Sequence, residues 1–130
     1  MHEITVKTTR RSDMVNVTDR VAELVSEHGR DANAVLLYVP HTTAGILINE
    51  AADPDVAFDI RETLDTLVPR SSAYHHAEGN SDAHVKSSLV GVSLTIPLDN
   101  GRMSFGTWQG IFFAEFDGPR SRKLRVTFLR

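Results

Sequence analysis

The sequence predicts an α+β protein: a compact, jelly-roll-like β-sandwich of mostly antiparallel strands, with two to three flanking helices. About seven segments have the alternation or continuous apolar content of strands, whereas two have the capped pattern of helices. The turn DNG at 99–101 joins two strand segments as a hairpin, which makes those neighbours antiparallel. No repeat or linker divides residues 1–130, so we expect a single domain.

Three strands are predicted in the first half of the chain. Residues 2–9 alternate between apolar and polar side chains, as in a half-buried strand. Residues 34–39, AVLLYV, are continuously apolar and predict a strand covered on both faces. Residues 45–49, GILIN, predict another strand.

Helices are predicted where apolar residues recur at helical spacing between start and stop signals. The first helix has Thr18 or Asp19 as its cap and ends at Gly29. The second has Asp53 as its cap and ends at Pro69. Residues 83–91, AHVKSSLVG, suffice for two further helical turns.

The second half of the chain is predicted to be mostly strand. Residues 92–98 alternate strictly before the DNG turn. The return segment 102–116 would span roughly 50 Å if straight, so we expect a bend near Gly106 or Gly110. Residues 124–128 form the closing strand, with every second side chain apolar.

Composition narrows the class of protein. The chain has no cysteine, which excludes metal sites built on thiolates. No segment approaches the roughly 20 apolar residues of a membrane span, and there is no signal-peptide pattern, so we expect a cytoplasmic protein that binds no membrane. The net charge of −3, with 14 Lys and Arg against 17 Asp and Glu, gives no electrostatic case for nucleic acid.

The segment YHHAEGNSDAH at 74–84 holds three of the six histidines. His76 and His84 are the best candidates for metal ligands, because Glu78 and Asp82 lie near enough in sequence to orient an imidazole. His75 is expected to point the other way. An open catalytic zinc site usually has three protein ligands, so a third must come from elsewhere.

The segment PHTTAGILINE at 40–50 offers that third group. His41 follows a buried strand, where a ligand or a catalytic base would be held rigidly. The alternative is a strand-end histidine bonded to Thr42 or Thr43. Glu50 precedes the cap of the second helix and is either a capping carboxylate or a general base.

Polar residues near the C-terminus are further site candidates. On a strand, Gln109 and Glu115 share a face with apolar residues, and a buried polar group needs a partner in a site or in a subunit interface. Arg120 and Arg122 suit phosphate binding, or they are simply solvated beside a turn. The common phosphate-binding glycine motifs are missing, so metal and arginine would have to hold a phosphorylated ligand.

The ordered motifs HTTAGILINE, ADPDV, HVKSSLVG, LTIPLDNGR and GTWQGIFFAEFDGPR resemble those of the YjbQ-like proteins, some of which are described as secondary thiamine-phosphate synthases. The resemblance covers residue 36 to the C-terminus. It implies a homotrimer of β-sandwich subunits whose histidines gather at a cleft near the subunit boundary, where a metal or an anion binds. Ala51 departs from the asparagine that relatives often have.

The resemblance also implies roles for individual residues. The activity would join a pyrimidine-methyl diphosphate to a thiazole phosphate, both small phosphorylated metabolites, and release pyrophosphate. Under this hypothesis the metal ligands, for zinc or magnesium, are His41, His76 and His84; the catalytic residues are His41, Glu50 and Gln109; and the substrate or phosphate contacts are Thr42, Asn49, Arg120 and Arg122. The alternatives are a metal-dependent hydrolase of phosphate esters and a non-catalytic trimer that binds a metal or an anion.

Overall fold

The computed structural model describes residues 1–71 and 73–130, which form eight strands and three helices. In chain order the strands are β1 (His2–Lys7), β2 (Asp13–Asn16), β3 (Ala34–Tyr38), β4 (Ala44–Glu50), β5 (Ser93–Asp99), β6 (Arg102–Met103), β7 (Gln109–Glu115) and β8 (Ser121–Leu129). The helices are α1 (Thr18–His28), α2 (Pro54–Leu67) and α3 (Ser81–Val90).

The strands make two antiparallel sheets, which confirms the predicted α+β fold class. The large sheet has the order β1-β8-β3-β5-β6, and the small sheet has the order β2-β7-β4. Their inner faces share one core, in which Leu37 and Val126 of the large sheet and Ile46 and Phe113 of the small sheet are buried. Burial of such side chains stabilises each by roughly 1.5–3 kcal/mol relative to exposure.

The helices complete the core on two sides. In α1, Val21 and Val25 are fully buried in the main core. Residues of α2 and α3 pack on the outer face of the small sheet, in a second cluster that includes Leu64, Ala83 and Phe116. The described part of the chain contains no helix that is both long and apolar enough to span a bilayer.

One strand prediction is wrong in its burial. Val35 and Leu37 are buried, but Leu36 is only half-buried and Tyr38 is 43% exposed. The strand β3 therefore alternates, because only one face of the large sheet meets the core. The strand β2 was not predicted at all, because it has four residues of which only two, Met14 and Val15, are apolar.

The predicted hairpin turn and the α2 cap are confirmed, whereas the predicted α1 cap is wrong, because α1 begins at Thr18 and its N-cap residue is Val17, which makes no side-chain capping bond. Asn100 and Gly101 have φ angles of 49° and 75°, as the hairpin turn requires. After β6 the chain bends near Gly106 and crosses to the small sheet as β7. The Asp53 side chain accepts a hydrogen bond from the Asp55 N–H at 2.9 Å.

Candidate functional site

A cleft of about 1000 Å³ opens where the β3–β4 connection, α3 and the β7–β8 turn meet. The end of β3 and the β3–β4 connection contribute residues 38–43, and α3 contributes one helix face. The β7–β8 turn contributes Asp117 and Arg120, and the start of β8 contributes Arg122. Five of the predicted site residues line this cleft: His41, Thr42, His84, Arg120 and Arg122. The fold thus brings together groups that lie in three separate parts of the sequence.

A buried ion pair forms one wall of the cleft. Arg122 is 3% exposed and Glu115 is fully buried. The Arg122 Nε donates to Glu115 Oε1 at 2.8 Å, and its Nη2 donates to the other carboxylate oxygen and to Thr43 Oγ1. The alternative interpretation, in which Arg122 is solvated beside the turn, is therefore wrong, and the bond to Thr43 ties the β3–β4 connection to β8.

Glu115 is fully satisfied within the chain. Beyond Arg122, its carboxylate accepts hydrogen bonds from Thr8 Oγ1, the Phe116 N–H and the Asp117 N–H. Burial by itself raises the pKa of Glu115, but the bonds from Arg122, the Asp117 N–H and Thr8 outweigh it and hold the pKa below its ordinary value. Glu115 is consequently an anion that supports the site rather than a proton donor.

His41 lines the cleft on the same side as this ion pair. Its Nε2 accepts a hydrogen bond from the Lys123 N–H at 2.9 Å, so the partner is neither Thr42 nor Thr43. Burial and the nearby Arg122 charge lower the pKa of His41. A neutral imidazole that accepts at Nε2 carries its proton on Nδ1, and His41 is therefore a hydrogen-bond donor.

A chain of polar contacts links the histidine-rich segment to Arg120. Asp117 accepts hydrogen bonds from Arg120 Nη2 at 3.2 Å and from Asn80 Nδ2 at 3.0 Å. Because the carboxylate only accepts, the Asn80 amide must point its Oδ1 toward His76 Nε2, at 3.1 Å. His76 therefore donates from Nε2, and its ring packs edge-on against His84, with 5.4 Å between the centroids.

Asp82 does not orient a histidine, contrary to the prediction. It is 1% exposed and its two oxygens accept from Arg11 at 2.9 and 3.0 Å. Asp82 lies on the face of α3 that turns away from the cleft, where Lys86 also lies 3.5 Å from it. Glu78 does lie near a histidine, with Oε2 3.7 Å from His76 Nε2.

The three histidines predicted as metal ligands do not converge on one point. Among residues 1–71 and 73–130, no group of three His, Asp or Glu side chains is placed to hold a metal ion. For His41 to ligate through Nε2, it would have to release the Lys123 N–H. The donor set of this conformation therefore does not fit the predicted site of three histidines.

The remaining predicted residues lie at the opposite end of the small sheet. Ala44 pairs with Glu115 at the cleft end, whereas Asn49 and Glu50 pair with Gly110 and Gln109 at the other. A strand of seven residues separates these ends by about 20 Å. Within one chain, Asn49, Glu50 and Gln109 are thus remote from the cleft.

The bonds at that far end are local. Gln109 is exposed rather than buried, and its Oε1 accepts from the Gly106 N–H at 2.8 Å. Asn49 Oδ1 accepts from the Glu50 N–H at 2.8 Å. The prediction of two buried polar groups on β7 therefore holds for Glu115 and is wrong for Gln109.

Several residues that line the cleft were not predicted from the sequence. Asn80 and Asp117 line the cleft, as do Ser87 and Ser88. The two serines follow His84 by three and four positions, a spacing that places them on one helix face and that was a usable signal. The contact between Asn80 and Asp117 spans 37 residues and had no local signal.

Arg125 adds a third arginine to the cleft lining. Its Nε is buried and makes no hydrogen bond to a described residue, although Glu3 Oε2 lies 3.5 Å away as an ion-pair partner. The side chain is 43% exposed, so Arg125 contributes positive charge to the cleft.

The chain is similar in sequence to known proteins. The chain is 51% identical over 124 residues to the UPF0047 protein MJ1081 of Methanocaldococcus jannaschii, with coverage of 95% of this chain and 90% of the relative. It is 49% identical to the UPF0047 protein YugU of Bacillus subtilis, with 95% of each covered.

Two solved structures are also similar. An uncharacterised conserved protein of the YjbQ/UPF0047 family from Clostridium acetobutylicum has a TM-score of 0.95 and 46% identity, with 99% of this chain and 100% of that chain covered. The conserved hypothetical protein TT1486 from Thermus thermophilus has a TM-score of 0.91 and 43% identity, with the same coverage. Since the model of the "UPF0047 protein YjbQ-like" family matches residues 2–130, the chain belongs to this family.

Proposed function

We propose that the cleft binds a phosphorylated small metabolite and that the protein is a transferase of the thiamine-phosphate synthase type. The observation that carries this proposal is that three side chains able to donate hydrogen bonds line one open cavity: His41, whose Nδ1 carries the proton, Arg120 and Arg125. Arginine guanidinium groups suit phosphate oxygens, and a neutral imidazole N–H adds a donor.

Arg120 is placed to respond to a ligand. Its Nε and Nη2 donate to the Asp117 carbonyl and carboxylate, which fixes the guanidinium plane. The side chain is still 50% exposed, so its remaining N–H groups are accessible. Preorganised donors stabilise charge that develops on a leaving group without the cost of reorientation.

The proposed reaction needs such charge stabilisation more than it needs a proton. The carbon–oxygen bond of the pyrimidine-methyl diphosphate breaks, and its electron pair leaves with the diphosphate. The thiazole nitrogen lone pair then forms the new carbon–nitrogen bond, which leaves a positive charge on the thiazole ring. In this scheme Arg120 and His41 contact the diphosphate oxygens.

A homotrimer is part of this proposal. Asn49, Glu50 and Gln109 lie about 20 Å from the cleft of their own chain, given the length of β4. They reach a cleft only if another subunit presents that end of its small sheet. Glu50 would then handle protons at the site of a neighbour.

A divalent ion, zinc or magnesium, stays a prediction. Magnesium bound to the diphosphate itself would supply charge neutralisation without a ligand set of three protein side chains. We derive no step through a metal, because the three predicted histidines do not fit one.

The test is direct synthesis. The purified protein, supplied with the two substrates and with magnesium or zinc, should form thiamine phosphate, detectable by mass spectrometry. Arg120→Gln should lower kcat/KM at least about tenfold, the loss of one charge-assisted contact. The matched control is Arg102→Gln, which changes an exposed arginine on β6 at the other end of the sandwich and should leave the rate unchanged.

Absence of thiamine phosphate under both metal conditions would overturn the transferase proposal. Free phosphate released from a single substrate would instead identify a hydrolase. The distance between Glu50 and the cleft favours a second candidate, a non-catalytic anion-binding protein. In that case ligand binding should depend on Arg120, and Glu50→Ala should leave the dissociation constant unchanged.

A further inference from the structure

A second cavity, of about 420 Å³, lies on the other side of α3 from the cleft. The segment 10–12, α2 and α3 form its walls. Five cationic side chains and three carboxylates line it, so its lining carries an excess of two positive charges. We call this cavity the arginine groove and define it by Arg10, Arg61, Arg70 and Lys86.

Two of the three carboxylates are already engaged. Asp82 accepts both bonds of the Arg11 fork, and Asp65 accepts from Ser12 Oγ at 3.0 Å and from Lys86 Nζ. Burial raises the pKa of Asp82, but Arg11 and Lys86 outweigh it and keep the carboxyl ionised. The charges of these two anions offset those of Arg11 and Lys86. The three remaining arginines of the lining then have only one carboxylate, Glu62, to offset their charge.

Arg61 is the most buried of those arginines. Its side chain is only 15% exposed, yet its contacts within the described residues are a 4.0 Å approach to Glu62 and a position 5.1 Å from the Phe58 ring centroid. A guanidinium has five N–H donors, and none of those on Arg61 makes a hydrogen bond to a described residue. Its donors are therefore available to an acceptor that enters the groove.

Lys86 has spare capacity beside it. Its side chain is 2% exposed, and of its three N–H donors one bonds Asp65 while Asp82 lies 3.5 Å away. Arg70 donates from Nε to the Gly79 carbonyl, which leaves its terminal nitrogens available at the rim. The four cations that define the arginine groove therefore offer more donors than the carboxylates of its lining accept.

We propose that the arginine groove is a second anion site, distinct from the cleft, that binds a phosphoryl group with two negative charges. The two negative charges of such a group match the excess of two positive charges in the lining. Its oxygens would accept hydrogen bonds from the four side chains that define the groove, Arg10, Arg61, Arg70 and Lys86. Inorganic phosphate and a phosphomonoester share this chemistry. The inference does not depend on the activity proposed for the cleft.

The test follows arginine side-chain Nε–H signals by nuclear magnetic resonance while inorganic phosphate, and separately methyl phosphate, is added to the full chain at constant ionic strength. The signals of Arg61, Arg70 and Arg10 should shift along one saturating curve for at least one of the two compounds. Comparison of the two midpoints identifies free phosphate or a phosphorylated metabolite as the preferred source.

Variants separate this site from the cleft. Arg61→Gln should weaken binding in the groove about tenfold, while the Arg120 signal should behave as it does in the unchanged protein. Arg10 is exposed, and Arg10→Gln should also weaken phosphate binding in the groove. Arg20→Gln on the exposed face of α1 is the matched control and should change nothing.

Three results would overturn the proposal. The first is that neither phosphate compound shifts the groove signals. The second is that chloride at equal ionic strength shifts them as much as phosphate does. The third is that Arg61→Gln and Arg10→Gln bind phosphate as tightly as the unchanged protein. The first two would make the groove a structural ion cluster. The third would assign the observed shifts to another surface.

Discussion

Replacing Arg122 with methionine should destabilise the protein strongly, because it leaves a charge buried without its counterion. Arg122 and Glu115 are 3% and 0% exposed. Removal of one partner from a buried ion pair typically costs about 3–5 kcal/mol. Glu115 keeps its bonds from Thr8, the Phe116 N–H and the Asp117 N–H, so we expect the lower end, about 3 kcal/mol.

The measurement is the free energy of unfolding from urea denaturation at pH 7, with constant slope as the check on two-state behaviour. The matched control is Arg130→Met, which breaks an ion pair between Arg130 and Asp31 whose side chains are 53% and 70% exposed. Surface pairs contribute little, so this variant should unfold like the unchanged protein. The double variant Arg122→Met/Glu115→Gln should recover part of the loss, since no buried charge remains.

The pH dependence provides a second check. In the unchanged protein the pKa of Glu115 is held low, so this group stabilises the fold above its unfolded pKa and the contribution is lost as pH falls. Because Arg122 is the largest of the influences that oppose burial, we expect its removal to raise that pKa. The gap in stability between variant and unchanged protein should then narrow from pH 7 to pH 5. A loss below about 1 kcal/mol at pH 7, or a gap that stays constant, would refute the argument.

Two further predictions concern local features. The His41 ring should titrate with a midpoint below the ordinary value of about 6.5, because burial and Arg122 favour the neutral form; its contribution to stability is complete above that value and is lost as pH falls through the lower pKa. Proton NMR of the ring, assigned by the signal lost in His41→Gln, measures this, and a midpoint at or above 6.5 would contradict it. Asp53→Ala should lower the free energy of unfolding by about 1 kcal/mol through loss of the α2 cap. Asp59→Ala, on the exposed face of α2, should leave it unchanged. Equal urea midpoints for the two variants would show that the cap does not stabilise the protein.

Local pattern determined most of the fold. The DNG turn, the Asp53 cap, the end of α1 at Gly29 and the bend near Gly106 each depend on a few neighbouring residues, and each was predicted. Backbone preferences act over such short distances, so a single sequence carries them. The four-residue strand β2 was missed because it is too short to display a period.

Composition could place His41, Thr42, His84 and Arg120 among site candidates, but it could not say which of them meet. The Lys123 N–H donates to Nε2 of His41 across a separation of 82 residues. Arg122 donates to Thr43 across a separation of 79 residues. Those contacts exist because β8 lies beside β3 in the large sheet. Strand order is a property of the whole chain, and no local period encodes it.

The same reason explains the errors. An arginine beside a turn and a glutamine in an apolar row have ordinary local patterns, yet Arg122 is buried and Gln109 is exposed. Asp82 lies two residues from His84, but the helix turns it toward Arg11 on the opposite side. The sequence alone thus determined the elements, their caps and the types of residue available for chemistry. Only the tertiary structure decided which charges are buried together and which face the cleft, because sheet order and register set those distances.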